Sequence, residues 1–170
     1  MSSRSLTVPI CLVALAFAAA VPPPANAQNQ VGGHFGVVIP LATRANGTTT
    51  TVSDDFVIGF PTGITLNTGD RFAFDLELVP VIQNQPLHVD LTVHPGVIIG
   101  LADRLNAGLR MAFDVARPSW GFTPLINRSF PLTESTSVFG ELVVPIRFQI
   151  DAAGSHFTSI GLGIHAGIGF

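Results

Sequence analysis

The chain has 170 residues, of which 11% are charged, and its mean hydropathy is +0.50. Soluble globular domains carry about 25% charged residues, so a water-facing shell would be undersupplied here. The net charge is only −3 and all 8 cations are Arg, so the clustered basic face that nucleic acid demands is missing and nucleic acid is excluded as a partner.

Residues 1–27 have the three parts of a secretory signal: Arg4 in a short polar start, an apolar run from Leu6 to Val21, and Ala25-Asn26-Ala27 ahead of Gln28. Cleavage is expected after Ala27. Pro9 and Pro22-Pro23-Pro24 break the apolar run, which argues against its retention as a spanning helix. The only cysteine, Cys11, falls in the part to be removed, so the mature domain, 28–170, has no thiol and no disulfide route to stability. That domain lacks the roughly 18 consecutive apolar residues of a transmembrane helix. High apolarity without helical spans points to strands.

A period of two runs through the mature chain. Phe35, Val37, Ile39 and Leu41 form the first apolar row, and Phe56, Ile58, Phe60, Ile64 and Leu66 the second. The turn Asn67-Thr68-Gly69-Asp70 leads into Phe72, Phe74, Leu76 and Leu78 as the third. Leu87, Val89, Leu91 and Val93, running on to Leu101, make the fourth; Leu109, Met111, Phe113 and Val115 make the fifth. The sixth strand lies between Trp120 and Phe130, where alternation is poor and Pro124 interrupts. Val138, Leu142, Val144, Ile146, Phe148 and Ile150 form the seventh, and Asp151-Ala152-Ala153-Gly154-Ser155 turns it into the eighth. In that last strand Ile160, Leu162, Ile164, Ala166, Ile168 and Phe170 alternate with Gly161, Gly163, His165, Gly167 and Gly169. Prolines 40, 61, 80, 95 and 145 are expected at bulges or strand ends, because each removes a ladder donor.

The expected fold class is all-β: a closed up-and-down antiparallel transmembrane barrel of about eight strands, each about ten residues long. An even count puts both chain ends on the inner side. The polar stretch Thr43 to Asp55 then becomes an outer loop, and Asn127 to Thr136 is long for an inner turn.

The ending Gly161-Leu162-Gly163-Ile164-His165-Ala166-Gly167-Ile168-Gly169-Phe170 resembles the small outer-membrane β-barrels of the OmpA, OmpX and OmpW kind, which finish on an aromatic residue after alternating apolar positions. The resemblance implies location in the cell outer membrane. It also implies recognition of Leu162, Ile164, Ile168 and Phe170 by the barrel-assembly machinery. Phe would replace the usual interfacial Trp and Tyr, since the chain has 13 Phe, one Trp and no Tyr.

With the apolar rows facing lipid, the alternate positions collect the ionisable groups: His34, Asp75, Glu77, His88, Asp90, His94, Arg110, Asp114, Glu141, Arg147 and His165. Charge on the lipid face would cost several kcal/mol at the midplane. An eight-stranded barrel is just wide enough for its own side chains, so these groups are expected to pair across the lumen and plug it. Acids outnumber Arg on this face, so protonated histidines could complete the balance.

His88, Asp90, His94 and His165 are too scattered to predict a metal site, and no cofactor motif is present. His156 and Ser159 are three apart, hence on opposite faces of a strand, unlike the His-x-Ser of lipid A deacylases. No Gly-x-Ser-x-Gly elbow occurs. The sequence therefore predicts a non-enzymatic barrel with a structural or surface-interaction role, contacting membrane lipid. Two alternatives remain open: a narrow channel or small-solute transporter, and a soluble periplasmic lipocalin-like barrel with its apolar rows turned inward.

Overall fold

Alternating side chains can satisfy lipid and a polar interior together only if the sheet closes, because an open edge would leave backbone groups unpaired. The computed structural model describes residues 31–170 apart from Asp70, Gln85 and Ala152; the expected signal segment, with Ala25 and Ala27, lies outside the described residues. Eleven strands form one antiparallel sheet: β1 (Val31–Ala45), β2 (Thr48–Thr51), β3 (Val57–Gly59), β4 (Thr62–Asn67), β5 (Phe72–Asn84), β6 (Leu87–Ala102), β7 (Leu105–Asp114), β8 (Ser119–Pro131), β9 (Ser137–Val143), β10 (Ile146–Ile150) and β11 (His156–Gly169). Pairing of β1 with β11, from His34 opposite Gly169 to Ala45 opposite Ser159, closes the ring.

The ring has eight staves. β3 and β4 together fill the place between β1 and β5, and β9 and β10 together fill the place between β8 and β11. Their breaks fall at Pro61 and Pro145. Each break lies beside a second proline in a continuous neighbour: Phe60 N–H donates to the Pro80 carbonyl at 2.9 Å, and Val144 N–H to the Pro124 carbonyl at 2.9 Å. A proline returns no N–H, so the ladder lapses there.

Several details of strand register depart from the sequence reading. Leu41 does not continue the first row, because β1 bulges between Pro40 and Ala42 and shifts its later residues by one. Pro80 and Pro95 sit inside β5 and β6 rather than at bulges or ends, opposite Leu91 and Leu76. The sixth strand is a full 13 residues. Pro124 points outward from it and Leu125 is buried inside, which hides the alternation from a hydropathy pattern. Strands also exceed ten residues, reaching 16 in β6.

Both described chain ends lie at one rim, with the β4–β5, β6–β7 and β8–β9 turns. The last of these spans only the residues between Pro131 and Ser137, so it is short after all. The opposite rim carries the excursion containing β2, which folds back through Asn46 and Gly47, both at positive φ (49° and 79°) as a two-residue hairpin turn requires.

The exterior is apolar. Ile164 is 48% exposed, and Phe35, Phe74, Leu78, Val97, Leu109, Phe113, Trp120, Leu142, Leu162 and Ile168 join it in a continuous outward belt. The soluble lipocalin-like alternative required these rows to turn inward, and they face outward instead.

Candidate functional site

Six of the eight staves carry ionisable side chains at inward positions, and strand register decides which groups meet. Glu77 on β5 is paired directly with His94 on β6, Asp75 on β5 with Thr65 on β4, and Glu141 on β9 with His165 on β11. Directly opposed residues on one face are in side-chain contact. Arg110 projects from β7 into the middle of the three carboxylates. Its Nε donates to Asp75 Oδ2 at 2.7 Å and its Nη1 to Glu141 Oε1 at 2.7 Å, with Glu77 Oε1 at 3.7 Å.

Three histidines complete the cluster. His34 Nε2 lies 2.9 Å from Glu77 Oε1, His94 Nδ1 lies 3.1 Å from Glu77 Oε2, and His165 Nδ1 lies 3.1 Å from Glu141 Oε1. Thr65 Oγ1 donates to Asp75 Oδ1 at 2.9 Å. Asp75, Glu77, Arg110, Glu141 and His165 are all under 5% exposed, the inverse of the usual distribution in soluble domains. Two glycines make room for the rings: a Cβ on Gly63 would stand 2.2 Å from His34 Cε1, and one on Gly36 2.7 Å from His165 Nε2.

The cluster divides the lumen. On the chain-end side lies a cavity of about 620 Å³, reaching His34, Asp75, Arg110 and Glu141 at its floor. On the loop side lies a smaller one of about 130 Å³, bounded by Glu77, His94, Arg110, Glu141 and His165 and walled by Val38, Val79 and Val143.

The other predicted residues form separate groups. Asp114 accepts from Thr92 Oγ1 at 2.8 Å. Arg147 Nη1 donates to the Phe122 and Ile146 carbonyls and to Thr123 Oγ1, each at 3.1 Å, and its Nη2 approaches His94 Nε2 at 3.4 Å. His88 and Asp90 lie nearer the loop-side rim, not in the central cluster. There Asp90 accepts from Gln83 Nε2 at 2.9 Å and from Arg117, and His88 Nε2 is 3.1 Å away. At the same rim Asp54 accepts from the N–H and Oγ1 of Thr51, which lowers its pKa below the ordinary Asp value.

Sequence reasoning missed Thr65, Gln83, Thr92, Thr123 and Phe139. All share the inward parity of the charged residues, which was the available signal. Phe139 sets its ring edge-on to His34 and His165, at centroid distances of 5.9 and 4.9 Å. Arg117 stands in a turn, outside any strand pattern. Among the described residues no three His, Cys, Asp or Glu are disposed to hold a metal ion; His88 and Asp90 are at the rim while His94 and His165 contact different carboxylates. His156 is exposed and Ser159 buried, the latter accepting from Gln149 Nε2 at 2.9 Å, so the two do not face each other.

No family model and no curated protein matches the chain. Among solved structures it is similar to one described as a de novo designed transmembrane β-barrel (TM-score 0.41, 11% identity, 81% of this chain and 95% of that one). It is similar also to the outer membrane protein OprG from Pseudomonas aeruginosa (TM-score 0.40, 11% identity, 82% of this chain and 92% of that one). Both neighbours are membrane β-barrels. At this level of similarity, neither one's properties pass to this chain.

Proposed function

We propose that the chain is an exported outer-membrane β-barrel with a non-enzymatic role in the envelope, its lumen closed by the side-chain cluster around Arg110. One observation carries this reading: the ring exposes Phe, Leu, Ile and Val outward while enclosing Asp75, Glu77, Arg110 and Glu141. In water such an exterior would be an apolar patch far beyond what a monomer exposes. In a bilayer it is the required surface.

The closing contact supports a part for the C-terminus in assembly. Gly33 and Phe170 exchange backbone hydrogen bonds of 2.7 and 2.9 Å, so the final residue completes the seam. We assign Leu162, Ile164, Ile168 and Phe170 as the outward row that the barrel-assembly machinery reads. The two cavities favour a second reading, a narrow conduit blocked at the cluster.

Cell fractionation tests the main reading. The protein should pellet with outer membranes, need detergent for release, and migrate differently on gels with and without heating. Recovery from the periplasm without detergent would overturn it.

A further inference from the structure

We propose that the imidazole–carboxylate network around Arg110 is a proton relay through the plug, so that the barrel passes protons while blocking larger ions. The inference rests on the membrane reading above and adds an activity to it.

Two arms cross between the large cavity and the small one. In the first, His34 lines the large cavity and His94 the small one, and Glu77 stands between them with Oε1 toward His34 (2.9 Å) and Oε2 toward His94 (3.1 Å). In the second, Glu141 borders both cavities and holds His165 Nδ1 at 3.1 Å, while His165 borders the small cavity and its Nε2 is buried without a protein hydrogen-bond partner. A buried ring nitrogen left unpaired calls for water. Beyond the small cavity, Thr92 and Asp114 continue the polar line toward Asp90 and His88 at the rim.

The transfers balance without any co-reactant. In the first arm His94 takes a proton from small-cavity water at Nε2, the nitrogen left as an acceptor toward Arg147 Nη2, and its Nδ1–H bond breaks as a Glu77 Oε2–H bond forms. A half-turn of the carboxyl then presents that hydrogen to His34 Nε2, the Oε2–H bond breaks as an Nε2–H bond forms, and His34 releases its Nδ1 proton to water in the large cavity. In the second, Glu141 takes a proton from large-cavity water, the Glu141 O–H bond breaks as a His165 Nδ1–H bond forms, and His165 releases its Nε2 proton to water in the small cavity that it borders. Imidazole suits this task because it accepts at one nitrogen and donates at the other near neutral pH.

The groups facing the network are His34 from β1, Asp75 and Glu77 from β5, His94 from β6, Arg110 from β7, Glu141 from β9, Arg147 from β10 and His165 from β11. Arg110, clamped at 2.7 Å to both Asp75 and Glu141, fills the path a hydrated ion would need. A proton needs only the hydrogen bonds.

The test uses the purified barrel in phosphatidylethanolamine/phosphatidylglycerol vesicles with a trapped pH-sensitive dye, valinomycin and K⁺ carrying the compensating charge. An imposed pH step should dissipate severalfold faster than in empty vesicles, more slowly in D₂O, with no matching release of Na⁺ or Cl⁻. Glu77→Gln with Glu141→Gln removes both arms yet leaves Asp75 and Arg110 as a balanced pair, so this double variant should insert and fall to the empty-vesicle rate. His94→Gln with His165→Gln, which keeps every carboxylate, should fall likewise. Wild-type protein that inserts but matches empty vesicles, or inserted double variants at the wild-type rate, overturns the relay and leaves the membrane reading standing. Protein that fails to float with vesicles overturns both.

Discussion

Arg110 Nη1 and Glu141 Oε1 stand 2.7 Å apart at the centre of the barrel, each side chain 5% exposed or less, between two cavities that both touch them. Removing one member of a buried pair leaves uncompensated charge, which typically costs about 3–5 kcal/mol. Arg110 faces three carboxylates, so Arg110→Met should fall in that range. Urea unfolding in vesicles, followed by gel mobility, measures it; a loss within 0.5 kcal/mol, the range of neutral surface changes, would contradict the account of the plug.

The outward face should reject charge. Ile164 lies mid-strand opposite Ile39 and Leu142 and is 48% exposed. In lipid, Ile164→Arg should cost about 2–4 kcal/mol if it lies at the midplane, whereas an ordinary water-exposed site would tolerate it. The same unfolding assay separates the two.

Packing around the histidines gives a paired prediction. Gly63→Ala puts a methyl 2.2 Å from His34 Cε1 and should cost about 1–3 kcal/mol by overpacking. Gly140 has nothing within 4 Å of its would-be Cβ, so Gly140→Ala should be neutral, or stabilising by up to about 1 kcal/mol through reduced chain entropy. Equal effects at the two sites would disprove the tight fit at His34.

These sites differ in how legible they were. The eight staves could be read because a period of two survives wherever outward positions are large and inward ones are small or charged, as in β5 and β11. It fails in β8, where Pro124 and Arg128 take outward places and Leu125 an inward one, although the strand itself is regular. An extra residue such as Leu41 leaves no hydropathy mark either. The ionisable members of the central cluster were readable from parity alone. Their pairing was not, since Glu77 meets His94 only through register set by backbone ladders. Rim residue Arg117 lay beyond the reach of periodicity.

The loop-side rim should show a carboxylate with a low pKa. Asp54 is held by two hydrogen bonds from Thr51. Its folded pKa is depressed, so its contribution to loop order is present above the unfolded value of about 3.9 and lost as pH falls through the folded one. Thr51→Val removes the hydroxyl donor, so carboxyl NMR titration should place Asp54 closer to the ordinary value. An unchanged titration would show that the hydroxyl contributes nothing.

The sole tryptophan reports most directly on the central claim that the apolar face meets lipid. Trp120 points outward from β8, 46% exposed, and packs against Phe148 and Phe122 at 4.8 and 5.6 Å. In vesicles made with brominated phospholipids its fluorescence should be strongly quenched, with little further loss on adding aqueous iodide. Full quenching by iodide, with no response to the brominated chains, would contradict the account.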